Sequence, residues 1–475
     1  MDIEEEAASN VVPATHKSVE VDDDGRSKRT GDVLTATTHI ITVVIGAGVL
    51  ALAWAMAQLG WIAGIGIMIA CSCISILTYN FIADCYRYPD PVTGKRNYTY
   101  MQAVNSYLGG KMHVFCGLIL YGKLAGVTVG YAITTSTSLV AIKKAICFHE
   151  KGHDAYCKFS NNPYMIGFGI GQIFLSQIPD FHKLTWLSTI AAITSFGYAF
   201  IGSGLSLAVL LSGKGQATSL TGVKVGAEVT EADKIWRVFS AMGNIALACS
   251  FATVVYDIMD TLKSDPPENQ QMKKANVVGI SMMTVLFLAC GGLGYAAFGE
   301  HTPGNILTGF GFYEPFWLVA LGNVFIVIHI VGAYQVLIQP FYHIVELLVS
   351  QRWASSNFIN KEYFVGIGKI QFSINLFRLI WRTIFVVVAS VLAMAMPFFN
   401  DMLALLGAIG FWPLAVYFPI QMIIVKRNIR KGTMPWIGLQ SLSLVCMIVS
   451  IAAACAAIHG LGQALGKYKP FMYKA

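Results

Sequence analysis

The chain reads as a succession of long, unbroken apolar runs separated by short polar stretches. A bilayer core about 30 Å thick needs about 20 apolar helical residues to cross it. Runs of that kind fall at roughly 33–58, 61–85, 113–142, 164–178, 185–211, 236–259, 276–298, 316–348, 377–397, 400–425 and 437–461. They predict an all-α polytopic membrane protein with 11 transmembrane helices. The fourth run is short, which leaves ten and twelve as neighbouring counts. The runs are continuous rather than alternating, so they do not describe a membrane β-barrel. Residues 1–30 are polar, carry the acidic runs Glu4–Glu6 and Asp22–Asp24, and are expected to form a disordered tail. Residues 31–463 make one transmembrane domain, and 464–475 a short terminal tail. No signal peptide or lipidation signal is expected, so insertion relies on the first helix.

Composition agrees with the pattern. Hydrophobic residues make up 55% of the chain and charged residues 12%, against about 25% charged in a soluble domain. The net charge of +7 does not indicate a nucleic-acid surface, because Lys and Arg lie in the loops. Their distribution predicts orientation. With the N-terminus inside, 21 fall on the inner side and 11 on the outer, leaving Lys123 within a span. That bias predicts a cytoplasmic N-terminus and, with an odd number of spans, an extracellular C-terminus. The sequon Asn97-Tyr98-Thr99 then lies inside and is expected to be unmodified. Cys147 and Cys157 flank an outer loop, where either a disulfide or two free thiols is open. With His149 and His153 they also imitate a zinc set, for which the disulfide is the preferred reading; no metal or other cofactor is expected. Walker and GxSxG signatures are absent, and no enzyme is expected.

Transport requires polarity at mid-membrane, and a helix broken there exposes N–H groups on one half and C=O groups on the other. The stretch Ile45, Gly46, Ala47, Gly48, Val49 near the centre of the first span is the candidate break; a small-residue packing strip is the alternative. Its counterpart in a second half would be the sixth span, whose centre runs from Asn244 to Thr253 with no Gly or Pro in it, so a continuous helix is the alternative there. Intramembrane ionisable groups default to functional hypotheses. Lys123 in span 3 either faces the substrate path or snorkels outward. Asp257 and Asp260 close span 6 as a gate or relay, or as solvated charges, the second reading fitting Asp260 better. His39 and His329 could take a coupling proton or serve only as packing residues.

Longer motifs carry a resemblance. HIITVVIGAGVL (39–50), AWAMAQLGW (53–61), DCYRYPDPVTGKRNYTY (84–100), DTLKS (260–264), GYAAFG (294–299), LTGFGFYEPFW (307–317) and FWPLAVYFPI (411–420) resemble the plant amino acid permeases of the amino acid/auxin permease family. The resemblance covers about Arg29 to Phe471. It implies a LeuT-like (APC-type) bundle of two inverted five-helix repeats, about 33–211 and 236–425, plus an extra helix at 437–461. It implies proton-coupled import of amino acids at the plasma membrane by alternating access. It further implies that Ile45 to Val49 hold the substrate's charged ends, that Ala248, Cys249, Ser250 and Phe251 line the opposite wall, and that Tyr131 and Tyr334 complete the pocket.

The chain departs from the family pattern at three places: Asn244 stands where Asp is usual, Lys123 where Asn is usual, and Asp257 where Glu is usual. With His39 and His329, these are the candidates for proton coupling or gating. Lys123 is expected to favour acidic or repel basic side chains, with Lys123→Asn improving uptake of basic amino acids. The expected partners are amino acids, protons and lipid. Sodium is the other candidate ion, auxin or another small organic acid the other candidate substrate. A sensor that binds without flux and a membrane-embedded enzyme are the readings from other classes.

Overall fold

A computed structural model describes residues 22, 24, 28–152, 154–178, 185–226, 229–310, 315–367, 370–396 and 398–467. Each expected apolar run coincides with helix. The first half holds α1 (Val33–Val44), α2 (Leu52–Asp84), a two-residue strand pair β1 (Arg87–Tyr88) and β2 (Lys95–Arg96), α3 (Tyr100–Leu108), α4 (Gly110–Lys151), α5 (Asn162–Ser176) and α6 (Thr185–Leu211). The second half holds α7 (Glu231–Ala248), α8 (Val255–Met259), α9 (Glu268–Phe298), α10 (Phe316–Arg352), α11 (Asn357–Asn360), strands β3 (Glu362–Ile367) and β4 (Ile370–Asn375), α12 (Leu376–Ala395), α13 (Phe399–Gly410) and α14 (Phe418–Lys426), with α15 (Met434–Lys467) last. Among the described residues, nine helices are long and apolar enough to cross a bilayer. The 12-residue α1 and 15-residue α5 are shorter.

The expected boundary between the first two spans is made by one glycine. Gly60 has φ 76° and ψ 178°, so α2 turns sharply there. Its missing side chain also admits the backbone of Leu220 and Gly222, and Ile62 N–H donates to Leu220 O at 3.2 Å. Other boundaries move for local reasons. Thr230 and Asp233 close a capping box that starts α7 before residue 236. α9 starts at Glu268 rather than 276, because Glu268 is buried against Arg87 and Arg96. α4 runs to Lys151, so Cys147 sits in its last turns, not in a loop. The disulfide Cys147–Cys157 is formed. His149 stacks on Phe316 at 3.8 Å; His153 lies outside the described residues. The antiparallel hairpin of β3 and β4 was not expected in an all-α chain.

The two halves repeat one order: a helix, a break, a 3₁₀ turn and a further helix, at α1–α2 and at α7–α8. Around these broken helices, α2 packs along α9 and α7, α13 along α7 and α15, and α10 along α4 and α6. Of the expected tails, residues 1–21 and 468–475 lie outside the described residues. Asp22, Asp24 and Arg29 are tied into the bundle, as described next.

Candidate transport site

α1 stops at Val44. Ile45 (φ −75°, ψ 84°) and Gly46 (φ −121°, ψ −164°) leave the helix, and a 3₁₀ turn over Ala47–Ala51 restarts it. The N–H groups of Ala47 and Gly48 head this turn with no partner among the described residues. The glycines serve space rather than positive φ. A Cβ on Gly46 would meet nothing within 4 Å, so the break opens onto free volume there. A Cβ on Gly48 would lie 3.1 Å from Ala248 Cα, so the two broken helices touch at that point.

α7 breaks as well, without Gly or Pro. It ends at Ala248, Cys249 to Phe251 are unwound, and a 3₁₀ turn follows over Ala252–Val254. The cause is on α2. The Tyr79 hydroxyl donates to Cys249 O at 2.9 Å and accepts from Phe251 N–H at 3.2 Å, replacing two helical bonds with one phenol. Ser75 Oγ adds a longer bond to Cys249 O at 3.4 Å. The first break has a similar partner on α6, where Tyr198 OH donates to Ile45 O at 3.4 Å. Tyr79 and Tyr198 were both missed from sequence. The available signal was a phenol in mid-span, whose polar tip needs a partner when buried. A cavity of about 10 Å³, room for about one water, lies beside both breaks, lined by Val44, Ser72, Ser75, Cys249, Phe251 and Thr284 among others.

The other candidates sit in separate places. Lys123 and Ser250 come together, with Lys123 Nζ donating to Ser250 Oγ at 2.9 Å. Lys123 does not snorkel; it is buried. Asn244 is fully buried on α7, a turn before the break, and neither of its amide atoms has a partner among the described residues. Tyr131 is half-buried on α4. Tyr334 is buried with its ring edge-on to Phe168 of α5 at 5.7 Å, in the helix packing around α10. His329 is buried, with Nδ1 2.9 Å from Ala191 O and 2.7 Å from Ser195 Oγ, and its ring lies 5.7 Å from that of Tyr198. His39 and Asp257 are exposed on α1 and α8.

Asp260 corrects an expectation. It is not a solvated helix end but one arm of an ion network centred on Arg29. Arg29 Nη2 lies 2.6 Å from Asp260 and 2.7 Å from Asp24, Arg29 Nη1 lies 2.9 Å from Asp22, and Tyr86 OH donates to Asp260 at 3.0 Å. Burial opposes the Arg29 charge, but the bonds to Asp24, Asp22 and Asp260 outweigh it and hold the guanidinium above its ordinary pKa. Gly31 also pairs its backbone with the chain after α8: its N–H donates to Thr261 O at 2.9 Å, and Lys263 N–H donates to Gly31 O at 3.0 Å. A second cluster joins Glu268 to Arg87 at 2.7 Å and Arg96 at 3.1 Å.

A family model described as transmembrane amino acid transporter protein matches residues 29–462. The chain belongs to that family. Among its relatives, amino acid permease 1 of Arabidopsis thaliana is 55% identical over 452 residues, covering 95% of this chain and 93% of that one. Amino acid permease 6 of the same plant is 53% identical over 474 residues, covering 99% and 98%. Among solved structures, the inward-facing conformation of Mhp1 superposes with a TM-score of 0.51 at 12% identity, covering 94% of this chain and 93% of that one. This likeness is one of fold, the LeuT-like bundle of inverted repeats. Family membership and the long apolar helices make the chain a multi-pass membrane transporter, not an enzyme.

Proposed function

We propose that this chain imports amino acids across the plasma membrane by proton-coupled symport, binding substrate between the breaks of α1 and α7. The observation that carries this reading is the pair of facing breaks. The unpartnered amides of Ala47 and Gly48 suit a carboxylate, the open carbonyls ending α1 suit an ammonium, and a zwitterion presents both. The volume beside Gly46 gives the substrate room. In this reading Ile45 to Val49 hold the charged ends, Ala248 to Phe251 form the facing wall, and Tyr131 and Tyr334 take supporting positions. Alternating access follows from movement of the broken helices against the scaffold.

For the coupling proton, His329 has the most favourable setting among His39, Lys123, Asn244, Asp257 and His329. Its Nδ1 bonds a backbone carbonyl, which leaves Nε2 as the basic nitrogen, buried and without a partner among the described residues. Its ring meets that of Tyr198 edge-on, and the Tyr198 hydroxyl reaches the first break. A cytoplasmic N-terminus and an extracellular C-terminus are supported by the loop charges and by the disulfide, which belongs in an oxidising compartment.

The test is uptake and current in a heterologous cell across an amino acid panel, at two pH values and with sodium removed. Accumulation with inward current that grows as external pH falls supports the proposal. Binding without accumulation would make the chain a sensor, and loss of uptake on removing sodium would replace the coupling ion.

A further inference from the structure

We infer that Lys123 makes this site selective for amino acids whose side chain carries a carboxylate. The inference rests on the transport reading above and names the substrate class of that site. Lys123 is 9% exposed, and its stem crosses the face of α13 where Gly410 has no side chain; a Cβ there would lie 2.7 Å from Lys123 Cδ. Its ammonium is thereby delivered to Ser250, in the middle of the unwound stretch of α7. An ammonium carries three donors. One is spent on a neutral hydroxyl, and no carboxylate pairs with Lys123 among the described residues.

A buried cation with a single neutral partner lacks the counter-charge that such groups ordinarily have. The carboxylates on neighbouring elements do not supply it. Asp257 is exposed on α8, Asp260 is engaged by Arg29 and Tyr86, and Asp401 opens α13 a full helix away from Gly410. The substrate is the remaining source of an anion. A zwitterion held at the two breaks satisfies its own main-chain charges, so a side-chain carboxylate is left to pair with Lys123. The pair then occupies the low-dielectric site as a neutral unit. A neutral side chain leaves the ammonium unmatched, and a cationic one brings like charge beside it.

The experiment compares glutamate with glutamine, and aspartate with asparagine, in cells expressing the full chain. For the unaltered protein, glutamate should compete with labelled uptake at least tenfold better than glutamine. Lys123→Asn should lower the glutamate-to-glutamine uptake ratio at least tenfold and admit lysine and arginine. Lys123→Arg should keep the ratio. An unaltered protein that takes glutamine as well as glutamate overturns the inference without any variant, while leaving the transport reading standing. So does a Lys123→Asn protein at the cell surface that keeps the original ratio or loses both substrates together. If the unaltered protein accumulates no amino acid at all, it is the transport reading that falls.

Discussion

Tyr79 concentrates the chemistry of the second break in one atom. Its hydroxyl serves a carbonyl and an amide that a continuous helix would have paired with Thr253 N–H and Leu247 O. Tyr79→Phe strands the Phe251 amide in a buried site, at about 1–3 kcal/mol, and leaves Cys249 O only the longer Ser75 bond. We expect at least a tenfold drop in uptake with normal surface expression, measured by radiolabelled flux beside surface biotinylation. The glycines of the first break make a paired prediction. Gly48→Ala pushes a methyl onto Ala248 and should reduce uptake strongly, with partial recovery in the Gly48→Ala/Ala248→Gly double variant. Gly46→Ala meets no atom, so the protein should fold normally and lose affinity only as the methyl invades substrate space. The first break was legible because its glycines lie within it. The second was not, because the residue that stabilises it is some 170 positions away on another helix. The resemblance pointed to Ala248 through Phe251, but nothing in that stretch explains why the backbone opens there.

At the scale of elements, apolar run length located the long apolar helices but not α3 or α11, since burial in lipid depends on length and hydrophobicity alone. Run length erred where polar residues are part of the packing. The first turns of α9 are helical because Glu268 is held between two arginines that come from the segment after α2, a contact invisible to a local window. Glu268→Gln would remove the carboxylate that Arg87 and Arg96 share, leaving Arg96 its pairing with Asp24 at 3.3 Å, and should cost about 3–5 kcal/mol, read as a lower thermal midpoint of the purified protein. The strap ahead of α1 is the other such element. Its acidic run was read as part of a disordered tail, yet Asp22 and Asp24 close on Arg29. Arg29→Ala should loosen α1 from α8. A cysteine placed at the fully buried Ala36 should then react several-fold faster with a permeant maleimide.

For the whole molecule, orientation is the property that loop charge encodes. A reductant that cannot cross membranes should expose Cys147 and Cys157 to an equally impermeant maleimide in intact cells. Labelling only after permeabilisation would reverse the orientation. The backbone bridge between Gly31 and Leu262 bears on how such a molecule works. Two backbone hydrogen bonds fasten the leading edge of one broken helix to the trailing edge of the other. If these helices move during transport, a push on either is passed to its partner through that tie.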